Sequence, residues 1–254
     1  MIPGDLVKRF EGGAKITVLT GAGVSAESGV PTFREAQTGL WERYAPEDLA
    51  TPAAFLRNPR LVWEWYQWRR TLVAQAKPNP AHGALVQMEQ YFPGFHLITQ
   101  NVDGLHQRAG SKSIIELHGN IGRTKCFLEG RIVSSWAATE EVPPKCPECG
   151  ALLRPDVVWF EEPMPTLEMA MAVEASRSCD VFLSIGTSSC VYPAASLPYE
   201  ALHAGATVVE INPKPTSLTP RSHFSMQAPA GLALPELLTA LGLAPSTSGG
   251  RSGV

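Results

Sequence analysis

Five groups of residues in this chain have types and spacings that suit chemistry. Gly21-Ala22-Gly23-Val24-Ser25-Ala26 fits the spacing G-x-G-x-x-A. Glycines there allow a tight turn and close backbone approach, and N–H groups at a helix start can hold a pyrophosphate. The same glycines would also serve a plain turn after a strand. Gln100-Asn101-Val102-Asp103 offers two amides and a carboxylate. His118, followed by Gly119, offers an imidazole that titrates near neutrality, the range in which a general base works. Tyr66 and Arg69 stand at i and i+3, on one face of a helix. A phenol beside a guanidinium can grip a carboxylate, with Arg as a bidentate donor. By itself the pair reads more readily as a solvated Arg and an interfacial Tyr on a Trp-rich helix. Cys126, Cys146 and Cys149 form the fifth group. Cys146-Pro-Glu-Cys149-Gly150 has the spacing of half a structural zinc site, but Cys126 is followed by Phe127, Leu128 and Glu129 with no second Cys.

The elements that must position these groups are legible as short apolar runs. Residues 15–20, 95–99, 113–117, 181–185 and 207–211 are rich in β-branched residues and read as buried strands. They end at Gly21, Gln100, His118, Gly186 and Asn212. Helical patterns cover 59–76, 80–90, 167–175, 199–203 and 234–241. Strands alternating with helices predict an α/β fold, a doubly wound Rossmann-like parallel sheet, whose ligands sit at the carboxyl ends of the strands. The glycine loop departs from a dehydrogenase fingerprint. Gly29 and Pro31 stop the helix early, and no strand with an acidic end follows. The run from Ser28 to Arg34 reads instead as a loop over the phosphates, so a nucleotide is expected but simple hydride transfer is not.

Two stretches break the alternation. Residues 36–92 are helical and hold most of the six Trp, and residues 120–156 are rich in Pro and Cys. They are expected to form a smaller lobe, a helical insert beside a Cys-containing, zinc-ribbon-like insert. Residues 1–244 then make one domain, and the small polar tail 245–254 is expected to be disordered. At 254 residues and a net charge of −3, the chain is unsuited to general electrostatic binding of nucleic acid. Five Cys cannot pair completely, and three fall in one stretch, which suits a reducing compartment. The N-terminal residues carry charge and Gly where a signal peptide would be apolar, and no run approaches the ~18 residues that span a bilayer. A cytoplasmic, monomeric protein without membrane contact is expected.

Gly21 to Arg34 (GAGVSAESGVPTFR), Thr99 to His106 (TQNVDGLH), His118-Gly119 and Gly186-Thr187-Ser188 occur in that order. This set closely resembles the sirtuins, NAD-dependent protein-lysine deacylases. The resemblance covers about Val18 to Ala230. It implies that NAD is a co-substrate that loses nicotinamide while the acyl group of a modified lysine moves to ADP-ribose, giving O-acyl-ADP-ribose. It implies NAD contacts at Gly21, Ala22, Gly23, Ala26, Phe33 and Arg34. Asn101 and Asp103 would line the nicotinamide pocket and act in catalysis, Gln100 would meet ribose, and His118 would be the base. Gly186, Thr187, Ser188, Asn212 and Ala230 would hold the adenosine half, although Asn212-Pro213 also suits a plain turn.

The same resemblance places acylated lysine side chains of proteins against Val157, Phe160 and Val191. Glu161 stands where the family usually has Gly, and Glu161-Glu162 reads as solvated charge. Tyr66 and Arg69 match the branch that removes succinyl and malonyl groups, with acetyl also accepted. A mono-ADP-ribosyltransferase using the same NAD site is the second class to consider. The family's small lobe commonly binds zinc through two Cys-x-x-Cys pairs. Here Cys126, Cys146 and Cys149 would need Glu129 or a water as fourth ligand, or the metal has been lost. His82, His96, His203 and His223 read as structural or exposed, His106 as a loop support, and Cys179 and Cys190 as packing residues.

Overall fold

The computed structural model describes residues 2–30, 44–137 and 140–243. Phe33, Arg34 and the tail 245–254 lie outside the described residues. The elements begin with α1 (Gly4–Lys8), β1 (Ile16–Thr20), α2 (Pro52–Arg57), α3 (Pro59–Gln75), α4 (Pro80–Tyr91) and β2 (Phe95–Thr99). Next come α5 (Leu105–Ala109), β3 (Ile114–Glu116), β4 (Gly119–Cys126) and β5 (Leu153–Val157). The chain continues with α6 (Thr166–Ser178), β6 (Val181–Ile185), α7 (Leu197–His203), β7 (Thr207–Ile211), β8 (Phe224–Met226) and α8 (Ala230–Ala240).

Six strands form a parallel sheet in the order β3-β2-β1-β6-β7-β8. The five expected strands are all present. The sixth, β8, is a three-residue edge strand, too short to show a periodic signal. Every residue of β1, β6 and β7 is buried, because both faces are covered. On one face Ile16, Val18, Val181, Leu183, Val209 and Ile211 pack with residues of α4 and α8. On the other, Leu19, Phe182 and Val208 pack with residues of α6 and α7. The order reverses direction between β1 and β6. That is the switch point where doubly wound sheets open a crevice for ligands.

The smaller lobe is α2, α3 and the antiparallel pair β4–β5. Asn58 caps α3, its side chain accepting from the Leu61 N–H at 3.1 Å, and Pro59 opens the first turn. Phe55, Trp65, Tyr66, Ile121 and Trp159 make this lobe's own core. Arg70 ties α3 to β4, donating to the carbonyls of Ile121 (2.6 Å) and Arg123 (2.7 Å). The expected end of the helical insert near residue 92 moves back. The last helix, α4, buries Ala81, Ala84, Leu85 and Met88 in the core of the parallel sheet, so its apolar face belongs to the large lobe.

Candidate functional site

The loops after β1 and β6 meet at the switch point. Gly21 donates its N–H to the Ile185 carbonyl at 3.0 Å and Gly23 donates to that of Gly186 at 2.8 Å. A Cβ on Gly23 would lie 2.7 Å from the Gly186 Cα, and one on Gly186, which has φ +60°, would lie 2.4 Å from the Val24 nitrogen. These glycines are therefore needed for one loop to approach the other, before any ligand is considered. The chain then makes a 3₁₀ run, Ala22–Ser28, which Gly29 ends in the left-handed region. Ala22 and Ala26 are exposed on it. Thr187 joins three strand ends. It accepts from the Gln100 side-chain amide at 3.0 Å and, through its carbonyl, from that of Asn212 at 2.9 Å. Ser188 is exposed beside it. Ala230 is buried at the start of α8, where the Glu27 carboxylate takes the Gly231 N–H at 2.7 Å.

Behind this opening lies a buried polar network. Asp103 accepts from the Ser25 hydroxyl (2.8 Å) and the Leu105 N–H (2.9 Å). The Asn101 amide donates to Ser25 at 3.2 Å. His82 accepts the Asn79 N–H on Nδ1, so its proton sits on Nε2, 3.5 Å from the Ser25 oxygen. Ser25 thus joins Asp103, Asn101 and His82, using its one donor and both acceptor sites. Neither Ser25 nor His82 carried a sequence signal for this role. His106 supports the wall from behind, its Nε2 3.0 Å from the Thr20 hydroxyl, which donates to Thr99 at 2.8 Å. Burial, with His82 as a neighbour, pushes the His106 pKa down to about 3.

His118 follows β3. Its Nδ1 lies 2.8 Å from the Gln100 carbonyl. A carbonyl only accepts, so Nδ1 carries the proton and Nε2 keeps its lone pair. Burial lowers the imidazole's pKa, opposed by the bond to Gln100. Gly119 has φ +79°, and a Cβ on it would fall 2.2 Å from the Asp156 carbonyl oxygen, which explains the His-Gly pair.

The small lobe supplies the opposite wall. Tyr66 is buried and accepts from the Trp159 indole N–H at 3.0 Å. Burial pushes its phenol up to about 12, so it is neutral. Arg69 is 9% exposed, with its guanidinium carbon 4.9 Å from the Trp65 ring centre. Burial lowers its pKa, while Tyr66 and Asp103 raise it. Asp103, in the network of the other wall, is close enough for its carboxylate to act on the Arg69 charge. Val157 is buried, whereas Phe160 and Val191 are both exposed. The Phe160 N–H is bonded to the Ala50 carbonyl at 3.0 Å. Glu161 has φ +70°, a conformation that glycine adopts without strain, which accounts for the Gly usual at this place. Glu162 is not the solvated charge expected. It pairs with the buried Arg154, and one of its oxygens also takes the Trp159 N–H at 2.8 Å. Cys190 is likewise exposed rather than packed, while Cys179 is buried.

At the far end of β4–β5 the three cysteines converge. The Cys126, Cys146 and Cys149 sulfurs and a Glu129 carboxylate oxygen all lie within 4.8 Å of one another. The Cys126 and Cys149 sulfurs are 3.4 Å apart. Tetrahedral zinc with Zn–S bonds near 2.3 Å separates its ligand atoms by about 3.8 Å, so the donor set fits such an ion. No helix among the described residues is long and apolar enough to cross a membrane.

A doubly wound sheet with glycine loops meeting at its switch point, and polar groups converging there, defines the class of nucleotide-binding α/β proteins. The comparisons narrow the class. The Sir2 family model matches residues 21–193. An NAD-dependent protein deacylase of Aquifex aeolicus (strain VF5) is 55% identical over 220 residues, 85% of this chain and 92% of that protein. A Sir2 homologue solved as its NAD complex superposes with a TM-score of 0.88 at 44% identity, covering 96% of each chain. A mutant Sir2 homologue solved with 2′-O-acetyl ADP ribose gives 0.86 at 44% identity, covering 97% of this chain and 99% of that one. The chain belongs to the Sir2 family.

Proposed function

We propose that this chain, an NAD-dependent protein deacylase that yields O-acyl-ADP-ribose, removes succinyl and malonyl groups from protein lysines and accepts acetyl as well. The observation that carries the acyl preference is the buried Tyr66–Arg69 pair. The Trp159 N–H occupies one face of the Tyr66 oxygen and turns the phenol hydrogen away from the indole. That hydrogen and the Arg69 guanidinium then meet the terminal carboxylate of the acyl chain. A charge-assisted hydrogen bond in such a site contributes about 1.5–3 kcal/mol, enough for a tenfold preference over acetyl.

The other roles follow the two walls. Gly21, Ala22, Gly23 and Ala26 hold the diphosphate side of NAD, with Phe33 assigned to cover the reaction centre and Arg34 to meet phosphate or ribose. Gly186, Thr187, Ser188, Asn212 and Ala230 hold the adenosine half. Asn101 and Asp103 line the nicotinamide pocket, oriented by Ser25, and Gln100 meets the ribose. His118 takes a ribose hydroxyl proton on Nε2, the nitrogen left unprotonated by the bond to Gln100. Val157, Phe160 and Val191 flank the peptide backbone, which adds as a strand. Cys126, Cys146 and Cys149 would hold a zinc ion that fixes the small lobe and supplies no chemistry at the reacting atoms. Residues 1–244 act as one domain.

The test is mass spectrometry of matched succinyl-, malonyl- and acetyl-lysine peptides incubated with the chain and NAD. All three should yield free lysine and the O-acyl-ADP-ribose. Arg69→Met should cut desuccinylation about tenfold or more while leaving most deacetylation. Equal losses on both peptides would reject the acyl reading, and labelled protein in place of O-acyl-ADP-ribose would favour ADP-ribosyl transfer.

A further inference from the structure

The two turns that carry the cysteines are the same structure made twice. In the first, Cys126-Phe-Leu-Glu129-Gly130, the Gly130 N–H donates to the Cys126 carbonyl at 2.9 Å. The Cys126 N–H donates to the Arg131 carbonyl at 2.9 Å. In the second, Cys146-Pro-Glu-Cys149-Gly150, the Gly150 N–H donates to Cys146 at 2.9 Å, and the Cys146 N–H to Ala151 at 2.7 Å. Gly130 and Gly150 have φ of +70° and +74°. Glu129 therefore occupies, in one turn, the place that Cys149 occupies in the other.

From this repeat we infer that the small lobe binds zinc through three thiolates and the Glu129 carboxylate, with Arg131 as the residue that positions the carboxylate. Three observations besides the repeat bear on it. A Glu129 oxygen falls within the same 4.8 Å as the three sulfurs. Three thiols and a carboxylate converging on one point, two of them on exposed residues that could turn away to water, gain from a cation between them. Arg131 donates from Nε to Glu129 Oε2 at 2.8 Å and places Nη2 3.7 Å from the Cys146 sulfur. It also pairs with Glu148. The arginine thus fixes one carboxylate oxygen and leaves the other for the metal, as outer groups do for ligands elsewhere. The charge balance is consistent. Three thiols release their protons on binding, and Zn²⁺ with three thiolates and one carboxylate carries −2, which Arg131 reduces.

The test uses the full chain with Zn²⁺ or Co²⁺ as the probe. Wild type should bind one Zn²⁺ per chain, measured by competition with a chromogenic chelator. Its Co²⁺ form should show a tetrahedral ligand-field spectrum with thiolate charge-transfer absorption. Glu129→Cys should bind with that absorption raised by about one third, four thiolates replacing three. Glu129→Ala should weaken zinc binding and shift the ligand-field bands, and Arg131→Ala should weaken zinc about 10- to 100-fold without changing the thiolate absorption. If Glu129→Ala does not fold, Glu129→Gln, which keeps the side chain's shape and removes its charge, takes its place with the same weakened zinc binding and shifted ligand-field bands expected. An unchanged affinity and spectrum in Glu129→Ala, no added thiolate band in Glu129→Cys, or no stoichiometric zinc in wild type would overturn the assignment. None of these readouts depends on which acyl group is removed.

Discussion

The two walls of the cleft are held by different forces. The sheet-side wall is built of hydrogen bonds, with the His106 Nδ1 left buried and unpartnered among the described residues. Ser25, Asp103, Asn101 and His82 satisfy one another, and Thr20, Thr99 and His106 brace them from behind. The lobe-side wall is aromatic stacking with charges laid on it. The Phe55 and Trp159 ring centres are 5.3 Å apart, and Arg154 lies 3.2 Å above the Trp159 ring. A network of neutral and charged hydrogen bonds fixes groups at sub-ångström tolerance and costs dearly when one partner is lost. Stacked rings tolerate exchange of their edges. The first wall suits a ligand that never changes, and the second suits the part of the substrate that distinguishes one acyl group from another.

The comparison breaks most visibly at His118, where the walls meet. His118→Tyr should lower NAD-dependent deacylation by about 10²- to 10⁴-fold on every acyl peptide, the usual loss for a general base. The melting temperature should hardly move, since the ring is only part-buried and its one side-chain bond among the described residues is to a carbonyl. A variant that keeps its rate removes His118 from the reaction, whatever the acyl group.

A second effect belongs to the sheet side alone. His106 is buried neutral with a pKa of about 3, against about 6.5 in an unfolded chain. The unfolded state binds the extra proton, so the stability due to this residue is complete above pH 6.5. It is lost as the pH falls from 6.5 toward 3. By pH 5 the loss is roughly 2 kcal/mol, at 1.36 kcal/mol per pH unit. Urea unfolding at pH 7 and pH 5 should show it, and His106→Asn should flatten the slope. A slope unchanged by that substitution would place the acid sensitivity elsewhere.

How much of each wall was legible in the sequence follows the same division. His118, Gln100 and Gly186 declare themselves because each ends an apolar run, and strand ends are where a doubly wound sheet gathers its ligands. Ser25 and His82 do not. The bond from Ser25 to Asp103 spans 78 positions, and nothing local about a serine in a glycine loop announces it. Helix α4 misleads for a related reason. Its amphipathic pattern says that it packs, and only the tertiary fold says against which lobe. On the other wall, Tyr66 and Arg69 were visible as an i, i+3 pair, while Trp159, 93 positions away, was not. Glu161 and Glu162 looked alike as adjacent charges, but backbone geometry separates them. One sits exposed at φ +70° and the other turns inward to Arg154.

Trp159 gives the smallest effect and the sharpest division between the walls. Trp159→Phe keeps a ring for Phe55 and Arg154 to pack on, and removes only the N–H that fixes the Tyr66 hydroxyl. One hydrogen bond is worth about 0.5–1.5 kcal/mol net. Desuccinylation should therefore fall about two- to tenfold relative to deacetylation, in the same direction as Arg69→Met but less far. Because Trp159 touches no group of the sheet-side network among its hydrogen bonds, the KM for NAD should stay unchanged. A fall in thermal stability with an unmoved succinyl-to-acetyl ratio would make Trp159 a packing residue. The lobe wall would then set its selectivity through Arg69 without help from the orientation of Tyr66.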